Sequence, residues 1–227
     1  MIENLSKKLG VKFKNQDLLQ SAVTHRSYLN ENRSYGIEHN ERLEFLGDAV
    51  LELIITEYLY KTYSNPEGEL TSWRSALVNG ENLAKIAGEL GVEEFLLMSK
   101  GEAKDTGRAR QYLLANALEA IIGAIYLDRG YQEVQQFVLK YIVANLDEVL
   151  KKGLYLDAKS VFQEKSQEEE KITPSYRVLE EWGPDHDRHF VVGVFLGEEL
   201  IAKGEGKSKQ EAQREAAKKG LEVKRWM

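Results

Sequence analysis

Apolar residues recur at helical spacing through the first two thirds of this chain, then gather into short runs of β-branched and aromatic residues. Ile2 to Leu9 predicts a short amphipathic helix ended by Gly10. Phe13 and Leu18-Leu19 lead into a second helix carrying Ala22-Val23, and polar residues 29–38 read as loop. A long helix should start at Asn40 and run through Tyr60, until Ser64-Asn65-Pro66-Glu67-Gly68-Glu69 breaks it. The next is expected from Leu70-Thr71, with Trp73, Ala76-Leu77 and Val78, and another over Asn82–Ala87, closed by Gly91. A short apolar run, Phe95–Met98, and a polar loop with Arg108 and Arg110 precede residues 111–127, almost wholly apolar and so a core helix. Tyr131 to Leu150 reads as one amphipathic helix.

Residues 151–156 read as a linker between a first domain, 1–150, and a second, 157–227. In the second the order is a helix over Ala158–Lys165, strands over Pro174–Trp182, His189–Leu196 and Leu200–Gly204, and a helix capped by Ser208. Gly183-Pro184-Asp185 and Gly197-Glu198-Glu199 supply the turns. An all-helical domain therefore precedes a small α+β domain of order α-β-β-β-α.

Composition narrows the chemistry. Hydrophobic content of 42% and charged content of 30% over 227 residues are ordinary for globular protein. Without cysteine, disulfides and thiolate metal sites are excluded. No signal peptide and no membrane-length apolar run are visible, which makes a cytoplasmic protein the expectation. A net charge of −6 argues mildly against nucleic acid, although clustered acids and a local basic patch weaken that objection.

Glu41, Glu44 and Asp48 stand at i, i+3 and i+7 of the long helix and so line one face, among Leu43, Phe45, Leu46, Val50 and Leu51. They read either as a solvated acidic face with ion pairs or as a site for a hard cation such as Mg²⁺ or Mn²⁺. Asn116 and Glu119 are the only strongly polar side chains in the apolar helix, so Glu119 needs a partner from elsewhere. His25, taken as lying in an apolar helix, is a catalyst or, more in keeping with its isolation, a satisfied structural residue. Arg108 and Arg110 are phosphate contacts or plain surface charge, and Glu67 a site acid or a solvated loop acid.

Asn40-Glu41-Arg42-Leu43-Glu44-Phe45-Leu46-Gly47-Asp48-Ala49 resembles the signature of the ribonuclease III family of double-stranded-RNA endonucleases, and Thr24-His25-Arg26-Ser27-Tyr28 resembles a second motif of that family. The resemblance implies an all-α endonuclease domain whose metal-dependent hydrolysis leaves 5′-phosphate and 3′-hydroxyl ends, in rRNA and mRNA processing. It implies Asp48, Glu119, Glu41 and Glu67 as catalytic residues, and Glu44, Asp48, Asn116 and Glu119 as ligands of Mg²⁺, with Mn²⁺ able to substitute. The family carries Asp where this chain has Asn116. It also implies a homodimer, with Phe45 packing against the partner subunit or, as an alternative, into its own core.

The C-terminal order, with Gly204-Glu205-Gly206-Lys207-Ser208-Lys209 opening the last helix, resembles the double-stranded-RNA-binding domain. Gln163, Glu164 and His186 would then meet the minor groove, and Lys207, Lys209 and Arg214 the phosphates. Gln210 stands where a second lysine is usual, with Arg214 and Lys218 able to compensate. The rival reading is a non-cleaving double-stranded-RNA-binding protein that retains the fold, for which Asn116 is the only support; Glu41, Glu44, Asp48 and Glu119 argue against a purely structural homologue.

Overall fold

The computed structural model describes residues 2–104, 106–151, 158–184 and 188–226. The chain forms two compact units, the first through Tyr155 and the second from Leu156. Most of the expected 151–156 linker, from residue 152 on, lies outside the described residues; Lys151 is the last residue of a helix.

The first unit is helical. Its elements are α1 (Ile2–Leu9), α2 (Gln16–Ala22), α3 (Arg26–Glu31), α4 (Glu41–Thr62), α5 (Glu67–Val78), α6 (Gly80–Glu89), α7 (Arg108–Arg129), α8 (Tyr131–Tyr141) and α9 (Leu146–Lys151). α7 is the central element: Leu113 to Ile125 is buried except for Asn116 and Glu119. α4 packs along it, burying Leu43, Val50, Leu51, Ile54 and Ile55. Each such aliphatic side chain contributes roughly 1.5–3 kcal/mol when fully withdrawn from water.

Two glycines set how closely these helices approach. A Cβ on Gly47 of α4 would run into the backbone carbonyl of Glu119, and one on Gly123 of α7 into the carbonyl of Leu43. Both helices therefore meet backbone to backbone, at the turns that carry Glu44, Asp48 and Glu119. Away from the crossing, the Glu57 carboxylate of α4 accepts hydrogen bonds from the Tyr131 hydroxyl and the Gln135 amide of α8. At the far end of α7, Asp128 accepts from the backbone N–H groups of Lys14 and Asn15, the latter capping α2.

Several local expectations need correction. Asn40 stands at the N-cap of α4, but its side chain makes no cap hydrogen bond; its backbone N–H donates to the Thr24 carbonyl and its buried Oδ1 has no hydrogen-bond partner. Tertiary pairing with the 24–25 segment positions this residue instead. That segment also pairs with Leu97, and His25 lies outside any apolar helix: it caps α3, its Nδ1 accepting from the Ser27 N–H. α3 thus occupies the first part of the expected 29–38 loop. Pro66 caps α5, so Glu67 is a first-turn helical residue rather than a loop acid. Arg108 and Arg110 likewise belong to α7, not to a loop, and Arg110 pairs with Glu93 at 2.9 Å. The expected helix over 131–150 is two helices joined by a 3₁₀ turn at Val143–Asn145, which turns Ile142, Val143, Leu146 and Val149 toward the common core.

The second unit comprises α10 (Ala158–Glu169), β1 (Ser175–Trp182), β2 (His189–Leu196), β3 (Glu199–Gly206) and α11 (Lys209–Lys224). The strands form an antiparallel sheet in the order β1-β2-β3, with Tyr176 opposite Val194 and Val194 opposite Ala202. Phe162 of α10 is fully buried against Val194, Leu196, Ala216, Ala217 and Leu221. Gly204 and Gly206 belong to β3 rather than to the opening of the last helix: a Cβ at either would meet α11 backbone, so glycine lets strand and helix touch.

Gly47→Ala and Gly123→Ala are each expected to destabilise the protein by roughly 1–3 kcal/mol or more, because the helices must separate to admit a methyl group. Denaturant unfolding measures this, and Gly88→Ala, where added bulk meets nothing, is the control that should be near neutral.

Candidate active site and nucleic-acid interface

α4 and α7 bring together side chains far apart in sequence. Burial, then the charge of Glu41, pushes the Glu44 carboxyl above its ordinary value; a hydrogen bond from the Asn116 side chain opposes this, and the Asp48 charge adds to it. Glu119 is affected more strongly. Burial, reinforced by the charges of Asp48 and then Glu44, pushes its carboxyl up to about 7. Glu44, Asp48 and Glu119 are thus mutual neighbours, with Asn116 beside Glu44 and Glu41 at the edge.

Glu44 and Glu119 are half-buried, whereas Glu41 and Asp48 are exposed. Among the described residues no three acid or histidine side chains close into a metal cage. The acids lie close enough to feel one another's charge. The donor set suits a hard divalent ion, since all its donors are carboxylate or amide oxygens. Cationic charge among them would relieve the mutual repulsion that raises Glu44 and Glu119.

Glu41 has its own partners. Arg26 Nη1 lies 3.2 Å from one carboxylate oxygen, and His39 Nδ1 lies 3.8 Å from the other. Sequence reasoning missed Arg26 and His39 as neighbours of this acid. The signal was present in the Thr24–Tyr28 motif, but only the pairing of the 24–25 segment with Asn40 brings it to the head of α4. Glu67 does not join the cluster: it heads α5, exposed, in a hollow with Asn65, Tyr60 and Arg74. Phe45 is 82% exposed and does not enter the core. It begins a stripe on α4 that continues through Leu53 and Tyr60, beside the acid face.

In the second unit Gln163 and Glu164 are exposed on α10, following the Phe162 anchor. Lys207, Lys209 and Arg214 are exposed at the start of α11. Ser208 Oγ accepts from the Glu211 N–H at 3.2 Å, while Glu211 accepts from the Lys207 N–H at 2.9 Å, a reciprocal cap that holds the basic turn in place. Lys159 of α10 donates to Gln213 of α11, tying the two surfaces together. His186 lies outside the described residues.

The raised Glu119 value has a consequence for stability. A carboxyl with a folded value near 7 and an ordinary value near 4.5 costs nothing below pH 4.5, where both folded and unfolded forms are protonated. Stability is then lost as pH rises through that interval, and the full cost is present above pH 7. In metal-free protein Glu119→Gln is expected to raise stability at pH 8, by on the order of 2 kcal/mol after allowance for solvent screening, and to change little at pH 4.5. Melting temperatures of both proteins in chelator across that range provide the check.

The chain matches the Ribonuclease-III-like family over residues 15–146 and the double-stranded RNA binding motif over residues 158–224. It is 46% identical over 221 residues to ribonuclease 3 of Carboxydothermus hydrogenoformans, covering 97% of this chain and 94% of that protein. To ribonuclease 3 of Borreliella burgdorferi it is 45% identical over 223 residues, covering 98% and 89%. A solved structure of the ribonuclease III nuclease domain of Campylobacter jejuni, described for structural flexibility in the region involved in its dimer formation, superposes with a TM-score of 0.57 at 43% identity, covering 64% of this chain and 98% of that one. Among the described residues no helix is long and apolar enough to cross a membrane. With both family matches in order along the chain and the acid-bearing helices joined as described, the chain belongs to the ribonuclease III family, as a double-stranded-RNA endoribonuclease with a C-terminal double-stranded-RNA-binding domain.

Proposed function

We propose that this ribonuclease III cleaves the strands of duplex RNA at Glu44, Asp48, Asn116 and Glu119, with Mg²⁺ as the working ion and Mn²⁺ able to replace it, and acts in the cytoplasm. The observation that carries this reading is the convergence of these four side chains at the glycine crossing of α4 and α7. The bound ion would supply Lewis-acid stabilisation of phosphoryl oxygens and activation of water. Asp48 and Glu119 would hold the ion, with Glu44 beside them. Asn116, which stands beside Glu44 and opposes the rise of its carboxyl, would orient that carboxylate, while its amide oxygen remains a neutral donor. Glu41, held between Arg26 and His39, borders the site and takes part in positioning water or phosphate. Glu67 is a substrate-facing acid rather than a ligand of the same ion, in keeping with its place at the head of α5. Products carry 5′-phosphate and 3′-hydroxyl ends.

Gln163, Glu164, Lys207, Lys209 and Arg214 are the groups through which the second unit grips the duplex. Their exposure on neighbouring, mutually tied helices supports this, and His186 is included by family pattern alone. Recognition of this kind reads A-form shape and phosphate more than sequence. We further assign the Phe45–Leu53–Tyr60 stripe to a homodimer contact. A phenylalanine 82% exposed on a rigid helix costs solubility unless something covers it, and the aligned stripe offers a second copy a continuous surface.

Three outcomes test the reading. Duplex RNA should be cut with Mg²⁺ present and left whole in excess chelator, single strands being spared; equal cutting in chelator removes the metal. Asn116→Asp should tighten Mg²⁺ binding severalfold and lower the melting temperature in chelator, since a fifth carboxylate adds both a ligand charge and repulsion. Calorimetric titration of stripped protein reads the first effect, and unchanged affinity would confine Asn116 to orienting Glu44. Phe45→Ala should weaken self-association at least tenfold in sedimentation equilibrium, as expected for loss of a large apolar anchor.

A further inference from the structure

Beside the acid cluster, at the head of α4, lies a hollow of about 380 Å³ that the proposed chemistry leaves unused. Leu29, Ile37 and Tyr35 give it an apolar lining, and Arg33, His39 and Arg42 also line it, with Glu38 the one acid. Arg42 reaches Glu38 only loosely, at 3.6 Å. Arg33 makes no ion pair among the described residues and is exposed. The lining therefore has an excess of cationic groups, in a chain whose net charge is −6. His39 is shared: it lines the hollow, and its Nδ1, buried and without a hydrogen-bond partner, lies 3.8 Å from Glu41.

We propose that this hollow is a second phosphate subsite, which takes a backbone phosphodiester of the duplex substrate next to the one being cut. The inference rests on the proposed reading of the acid cluster as the cleavage site. A strand whose scissile phosphate lies at Glu44, Asp48 and Glu119 continues past Glu41, and its next phosphates meet whatever lies beyond. Carboxylates there would repel them; guanidinium groups bind phosphate in a forked, two-bond geometry. Arg33 and Arg42 are those groups, and His39 is the wall between the two subsites. The apolar lining of Leu29 and Ile37, with Tyr35 held edge-on by Tyr28, suits the sugar between phosphates and carries no sequence information. A phosphate contact of this kind sets register on the duplex without reading bases.

The test is a salt series of equilibrium binding to a synthetic RNA duplex, using the full chain carrying Glu119→Gln so that the strand is not cut. Each phosphate contact contributes about 0.7–0.9 to the slope of log affinity against log salt. Arg33→Ala and Arg42→Ala should each lower that slope by about this amount, so that the affinity lost between 50 and 200 mM salt shrinks by about threefold per arginine removed. Arg33→Lys, which keeps the charge, should restore most of the slope. The Lys207→Ala, Lys209→Ala pair is the reference, because its effect depends on the second unit alone.

A double arginine variant with the parent slope, while the lysine pair lowers it, overturns the subsite and leaves the RNA-binding reading intact. If neither set changes the slope, the phosphate-gripping role proposed for both surfaces falls. A double variant whose self-association weakens while its salt slope is unchanged also overturns the subsite and assigns the hollow to contact between copies of the chain.

Discussion

The contact on which the first unit depends is the one between the backbones of α4 and α7. Two helices ordinarily keep their axes 8–10 Å apart because side chains separate them. Here Gly47 faces the Glu119 carbonyl and Gly123 faces the Leu43 carbonyl, so the helices touch without intervening side chains. The acids sit on the same turns. Glu44 and Asp48 flank Gly47, and Glu119 stands one turn before Gly123. Any change that spread the helices would spread the donors as well, which makes a packing constraint of two missing methyl groups into a constraint on the chemistry.

That closeness carries an electrostatic cost. Glu44 and Glu119 are partly withdrawn from water beside Asp48 and Glu41, and both carboxyls are raised in consequence. Folding draws these like charges together without pairing them, and the fold tolerates it because the rest of α7 is so apolar. Asn116 moderates the repulsion: an aspartate there would add a charge, whereas the neutral amide holds the Glu44 carboxyl lower than burial and its acidic neighbours alone would. Arg26 does the same for Glu41 from outside. A site strained in this way favours occupation by a small, highly charged cation.

The second unit solves a smaller problem by the same means. Gly204 and Gly206 admit α11 to the face of β3, and Phe162 closes the core from α10. With the apolar side chains turned inward, the outer faces of α10 and α11, and the turn before α11, are left to carry Gln163, Glu164, Lys207, Lys209 and Arg214. The cap formed by Ser208 and Glu211 holds the basic turn at the helix N-terminus, where the helix dipole and the lysines would both favour an anion.

Much of this was legible in the linear pattern, because it depends on local periodicity. The long helix from Asn40, the apolar helix over 111–127, the strand order and the Ser208 cap follow from spacing and composition within one element. So did the candidate acids: Glu41, Glu44 and Asp48 share a helical face whatever surrounds them. Other features depend on partners distant in sequence. Asn40 looked like an ordinary cap, but its backbone is engaged by Thr24 and its side chain is buried instead. Phe45 could equally have been core, and only packing left it exposed. The 3₁₀ turn at Val143–Asn145 rotates an apolar stripe that the sequence alone reads as continuous. The meeting of Glu119 with Glu44 and Asp48 was inferred from a resemblance; the physical reason for it, two glycines opposed across a helix crossing, exists only in three dimensions, because a glycine in a helix does not reveal in sequence which backbone it admits.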